Sequence, residues 1–162
     1  FREGEIDVLD VVDEATDLIG ALQELFSQVD EYGYVGVQAY LDRIADAEAA
    51  ELRPLVSTHA GVQTTFGFGP RYLHSTGQYH KGGHPNGVFL QITGEARTDL
   101  LVPGRSYGFA ELQRAQAAGD AAVLAEKGRP VLRLHLLDRA RGLEQLRRAI
   151  ASISPLHHFG LD

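Results

Sequence analysis

The chain has 162 residues, a net charge of −7 and a pI near 5.4, with 44% apolar and 23% charged residues. That is the composition of one ordinary globular domain with a sizeable core, and its acidity argues against nucleic-acid backbones and anionic membranes as partners. There is no cysteine, which excludes disulfides, thiol catalysis and thiolate metal sites, and no apolar run approaches the roughly 20 residues that span a bilayer.

Residues 8–30 carry Val8, Val11, Val12, Ala15, Leu18, Ile19, Leu22, Leu25 and Phe26, the recurrence of an amphipathic helix. Tyr34 to Tyr40 is short and β-rich, and a second helical stretch follows from Asp42 to about residue 59, interrupted by Pro54. Val62 to Phe66 reads as a strand closed by Gly67 and Gly69, and Val88 to Thr93 as another. Residues 107–127 form a helix with Gly128 as its C-cap. Val131 to Leu136 is a last strand and Leu143 to Ile153 a last helix. Strands alternating with helices predict an α/β fold: a mainly parallel sheet of about five strands between helical layers, a three-layer α/β/α sandwich. One domain is expected over residues 1–154, with a loose tail over 155–162 that holds His157 and His158. The chain begins at Phe1 and contains no methionine, so it is expected to be a processed chain or a piece of a longer one. With no signal peptide visible, the expected location is the cytoplasm.

Between the strands at 62–66 and 88–93 lies Gly69-Pro-Arg-Tyr-Leu-His-Ser-Thr-Gly-Gln-Tyr-His-Lys-Gly-Gly83. This segment is too polar for a buried strand, since each unpaired polar group costs roughly 1–3 kcal/mol. It is expected beyond a strand's carboxyl end, where α/β proteins place their sites, with a short helix beginning near Pro70. The chain uses arginine thirteen times and lysine twice, so Lys81 stands out. Arg71, Ser75, Thr76, Gln78 and Lys81 could hold sugar hydroxyls and a phosphate or negative intermediate, and a histidine beside a lysine suits proton transfer near neutral pH. A plain surface loop with capping hydroxyls fits the same residues equally well. His74, His80 and His84 have spacing that could hold a metal, but Gly82, Gly83 and Pro85 oppose a helix through 80–84 and no carboxylate is interleaved. No Walker or dinucleotide-binding glycine pattern is present. His59 and His135 read as structural or surface groups.

The same segment, followed by Gly87-Val-Phe-Leu-Gln-Ile-Thr93, resembles the last part of glucose-6-phosphate isomerases, particularly the isomerase part of bifunctional transaldolase/glucose-6-phosphate isomerases. Tyr34 to Leu41, Leu101-Val-Pro-Gly104, Ala110 to Gly119 and Gly128 to His135 extend the likeness over about residues 32–150. The resemblance implies a sugar-isomerase (SIS) domain, the second of two, with the active site between them near a dimer contact. It implies glucose 6-phosphate/fructose 6-phosphate interconversion without metal or organic cofactor. His74 would then assist ring opening and Lys81 stabilise the developing negative oxygen. Arg71 would add positive charge, while Ser75, Thr76 and Gln78 would hold hydroxyls. The implied partners are a sugar phosphate, the first SIS domain and a second subunit. The chain departs from the family twice. Arg147 stands where the final-helix signature has lysine, and the segment supplying the proton-shuttling glutamate is not recognisable, Glu48 being the nearest in position. A non-catalytic, regulatory sugar-phosphate-binding domain is the rival expectation.

Overall fold

The computed structural model describes residues 1–157, the His74 side chain excepted. Its elements are β1 (Arg2–Glu3), β2 (Ile6–Asp10), α1 (Leu18–Ser27), β3 (Tyr34–Tyr40), α2 (Leu52–Ala60), β4 (Gln63–Phe68), α3 (Thr76–Gly82), β5 (Gly87–Gly94), α4 (Phe109–Glu126), β6 (Val131–Leu136) and α5 (Arg139–Ser152). Single turns of 3-10 helix at Ala47–Glu51 and Arg71–His74 precede α2 and α3.

The sheet has order β1-β2-β6-β5-β3-β4. Strands β6, β5, β3 and β4 are parallel, while β2 runs antiparallel to β6 and β1 antiparallel to β2. The predicted three-layer α/β/α architecture is therefore present, with six strands rather than five. Of the strands not expected, β1 and the first residues of β2 precede the stretch read as helical, and Val8 to Asp10 of β2 fall within it. Ile6 and Val8 alternate inward on β2 and align with Leu136 and Leu134 of β6, so strand pairing with a distant partner overrides the local helical spacing. The helix itself begins only after Asp17, whose side chain accepts from Gly20 N–H at 2.7 Å as a preferred N-cap does.

The two faces of the sheet differ in kind. Val35, Val37 and Ala39 of β3, Val88, Leu90 and Ile92 of β5, and Leu132, Leu134 and Leu136 of β6 pack with α1, α2 and α5 into one apolar core. The opposite face, under α3 and α4, carries cross-strand polar rows. Gln38 aligns with Gln91 and Gln91 with Arg133; Tyr40 aligns with Thr93 and Thr93 with His135. Arg133 Nε donates to Gln91 Oε1 at 3.0 Å, and Gln91 Nε2 to the Ala117 carbonyl of α4 at 2.8 Å. The Gln38 amide has no protein partner among the described residues, although it is buried.

Gly128, at φ +71°, ends the α4 segment in the left-handed conformation that suits glycine. Of the tail expected to be loose, Leu156 packs against the core and its N–H donates to the His59 carbonyl oxygen at 3.0 Å. Residues 158–162, with His158, lie outside the described residues. No helix among the described residues is long and apolar enough to cross a membrane.

Candidate functional site

The polar segment begins directly after the carboxyl end of β4. Gly69 N–H donates to the Ala39 carbonyl at 2.8 Å, which pins the segment to the end of β3. It then turns through Arg71–His74, runs back as α3 and leads into β5. The expected short helix is thus two pieces, and α3 stops at Gly82 as the glycines suggested.

The segment is organised around Tyr72. This side chain is 5% exposed, and three glycines lie against it. A Cβ at Gly67 would meet its Cβ at 3.1 Å, one at Gly69 its Cε1 at 2.7 Å, and one at Gly77 its carbonyl oxygen at 3.0 Å. These glycines frame the segment because a tyrosine fills the space that their side chains would need. Tyr72 Oη lies 3.0 Å from Asp120 Oδ2 and 3.1 Å from Tyr40 Oη. With one proton to give, it donates to the carboxylate, and the Tyr40 hydroxyl continues the chain. Asp120 Oδ1 meets Lys81 Nζ at 2.5 Å, an ionic contact without good hydrogen-bond angles. The Asp120 side chain is 2% exposed and that of Lys81 24%. Burial, then the neighbouring Tyr40 and Asp120, pushes the Tyr72 phenol far above its ordinary range, and burial pushes Tyr40 up to about 12. Both hydroxyls stay protonated at neutral pH, as Tyr72 must to donate to the carboxylate.

His80 belongs to the other end of α3. It is 5% exposed, its Nδ1 lies 2.8 Å from Tyr34 Oη, and its ring contacts those of Tyr34 and Phe89. Burial lowers its pKa to about 4, against an opposing pull from Asp120 and with a small further lowering from Lys81. Burial likewise raises Tyr34 to about 12. His80 is therefore a neutral packed imidazole at pH 7, and His84, beyond α3, is exposed. Among the described residues no group of three His, Asp or Glu side chains could hold a metal ion.

The remaining predicted residues stay at the surface. Arg71, Thr76 and Gln78 are exposed, and so is Ser75. Ser75 Oγ donates to the Tyr72 carbonyl at 3.2 Å, and Gln78 Nε2 to the Leu73 carbonyl at 2.9 Å. His74 occupies the end of the 3-10 turn, and its side chain lies outside the described set. The fold thus brings Arg71, His74, Ser75, Thr76 and Gln78 into one short stretch of chain. Lys81 is drawn inward by Asp120.

A crevice missed at the sequence level lies beside this segment. The chain leaves β3 toward β4 over one face and β5 toward β6 over the other. The carboxyl ends of β3 and β5 therefore mark the switch point where α/β sheets open a ligand cleft. The cavity there is about 480 Å³ and is lined by Asp42, Asp46, Arg97, Asp99, Gln113 and Arg139, among others. Arg139 Nη1 donates to the buried Asp46 Oδ2 at 2.8 Å and Arg139 Nε to the Glu95 carbonyl at 2.8 Å. Asp42 accepts from the Ala45 and Ile44 N–H groups, which lowers its pKa. Gln113 lines the crevice and its Nε2 reaches the Gly69 carbonyl at 3.4 Å, so crevice and polar segment share an edge. Of the predicted site residues whose side chains are described, none lines it. Its signal in the sequence was the acidic pair Asp42 and Asp46 immediately after a strand.

Of the two family departures, Arg147 lies on α5, across the sheet from α3, with its guanidinium 3.3 Å from Glu51 and 3.8 Å from Glu144. Glu48 is exposed on the 3-10 turn before α2.

These elements define a three-layer α/β/α domain with a mainly parallel sheet. No family model matches the chain, and no curated protein does. Among solved structures it is similar to the crystal structure of the hypothetical protein TT0462 from Thermus thermophilus, with a TM-score of 0.68 and 17% identity. The likeness covers 82% of this chain and 38% of that one, so this chain spans well under half the length of its structural neighbour. It extends to the fold alone.

Proposed function

We propose that this domain is the second SIS domain of a cytoplasmic glucose-6-phosphate isomerase, acting on sugar phosphates together with a first SIS domain and within a homo-oligomer. The observation that carries the reading is segment 69–83. Its resemblance to the isomerase sequence spans fifteen consecutive residues, and it lies beyond the carboxyl end of a parallel strand beside a switch-point crevice. In this reading His74 assists opening of the sugar ring by moving a proton between the hydroxyl and the ring oxygen. A carboxylate then carries a proton between C2 and C1 through a cis-enediolate, and Lys81, with Arg71, stabilises the negative oxygen. Ser75, Thr76 and Gln78 hold hydroxyls through their exposed donors and acceptors.

The test is turnover of fructose 6-phosphate by the intact protein and by its His74→Ala and Lys81→Ala variants. Each is expected to lose at least about 100-fold in kcat while remaining folded. Near-normal activity in both removes the assigned roles.

A non-catalytic sugar-phosphate-binding domain is the second reading, and two geometric facts favour it. The Lys81 charge is already matched by Asp120, and Arg147 is turned away on α5. Binding of fructose 6-phosphate by the intact protein without any conversion would select this reading.

A further inference from the structure

We infer that Asp120 is a positioning residue for Lys81, an inference that rests on the isomerase reading of segment 69–83. Lys81 sits on a flexible four-carbon stem, and a flexible ammonium stabilises a developing charge poorly unless its place is fixed beforehand. Asp120 supplies that fixing. Its carboxylate is nearly fully buried on the inward side of α4, one oxygen faces Lys81 Nζ at 2.5 Å, and the other accepts from Tyr72 at 3.0 Å.

Tyr72 in turn is wedged among Gly67, Gly69 and Gly77 and reaches Tyr40 at the end of β3. The carboxylate cannot swing away without breaking this chain, so the ammonium is referenced to the sheet through three buried side chains, Asp120, Tyr72 and Tyr40. The same chain ties both ends of the polar segment together. Tyr72 lies in the 3-10 turn that ends at His74, and Lys81 lies in α3. Asp120 therefore sets how far the cation stands from the residues of the turn. It does not touch substrate in this assignment; it acts only through Lys81 and Tyr72.

The experiment compares kcat and KM for fructose 6-phosphate in the intact protein and in its Asp120→Asn, Asp120→Glu, Tyr72→Phe and Lys81→Ala variants, with folded fraction measured by circular dichroism. Asp120→Asn retains the size and the acceptor for Tyr72 but not the charge. It is expected to lower kcat per folded molecule at least about tenfold, with KM within about threefold of the parent. Asp120→Glu should recover part of the loss. Tyr72→Phe, which leaves the ion pair but frees the carboxylate, should lower kcat about three- to tenfold, and it carries the test should Asp120→Asn fail to fold.

A residue that served the fold alone would lower thermal stability and leave kcat per folded molecule unchanged. That result in folded Asp120→Asn, or in Tyr72→Phe where the first variant does not fold, overturns the positioning role while an inactive Lys81→Ala leaves the isomerase reading standing. Wild-type turnover in Lys81→Ala removes the cation role itself, and the positioning inference falls with it.

Discussion

The two faces of the sheet are built on opposite principles. Under α1, α2 and α5 the inward residues are valine, leucine, isoleucine and alanine, with no polar row. Under α3 and α4 the inward residues include tyrosine, glutamine, threonine, arginine and histidine beside Phe89, and most of these polar groups are held by specific hydrogen bonds. The first face tolerates hydrophobic exchange of similar volume. On the second, each group needs a particular partner, and loss of one leaves another unsatisfied. The apolar face thus carries stability, while the polar face fixes where the candidate site residues stand.

The sharpest break in this contrast comes from the buried ion pair. Asp120→Ala leaves Lys81 and Tyr72 without their acceptor and should cost about 3 kcal/mol in urea unfolding. Replacing the pair by Asp120→Leu with Lys81→Met should recover most of that stability, since two apolar groups do not need partners. If the double variant were as unstable as the single one, specific pairing would not be what distinguishes this face. On the apolar face, Leu90→Ala in β5 should cost about 2–4 kcal/mol by leaving a cavity, with little change in the positions of the site residues as seen by amide chemical shifts near 69–83.

His80 sharpens the contrast through pH. Its folded pKa is about 4, below the ordinary value near 6.5, so the unfolded chain takes up the proton first. Its contribution is whole above about pH 6.5, declines as the pH falls toward 4, and is absent below that, a span of at most about 3 kcal/mol. Its ring is faced by Tyr34, Tyr72 and Phe89, with Asp120 and Lys81 acting electrostatically. In His80→Gln, stability measured from about pH 7 to 4.5 should lose that part of its slope; an unchanged slope would assign the acid sensitivity elsewhere.

Gln38 gives the smallest and most contrary effect. Its buried amide has no protein partner among the described residues, so Gln38→Leu should leave stability unchanged or raise it by about 1 kcal/mol. A loss above about 2 kcal/mol would mean that the amide is hydrogen-bonded, most simply through a buried water.

Strands β3, β4, β5 and β6 and the helix at 109–126 were legible in the sequence because their periodicities are local. The same reading misled over residues 8–12. Val8, Val11 and Val12 fit a helical stripe, and the residues that hold β2 straight are on β6, far along the chain. Polar segment 69–83 was also legible, together with its place beyond a strand. Asp120 was not, because a single acid in an alanine-rich helix reads as solvated. A signal was present nonetheless: Ala117, Asp120, Ala121 and Leu124 recur at i, i+3, i+4 and i+7, and all four are buried. An acid on the inward stripe requires a partner, and the rare Lys81 was the cation left to find.

The strand order has a consequence for the making of the protein. Strand β2, complete by Asp10, lies against β6, which ends at Leu136. As the chain leaves the ribosome from its amino end, residues 6–10 must therefore wait with their inward Ile6 and Val8 uncovered until almost the whole domain has been synthesised. Closure of this sheet edge is a long-range step that local structure cannot hasten, and such pairings are slow. The short hairpin of β1 with β2, carrying Arg2, Asp7 and Asp10 on the face away from Ile6, keeps the waiting segment charged on its outward side, a composition that discourages pairing with other nascent chains.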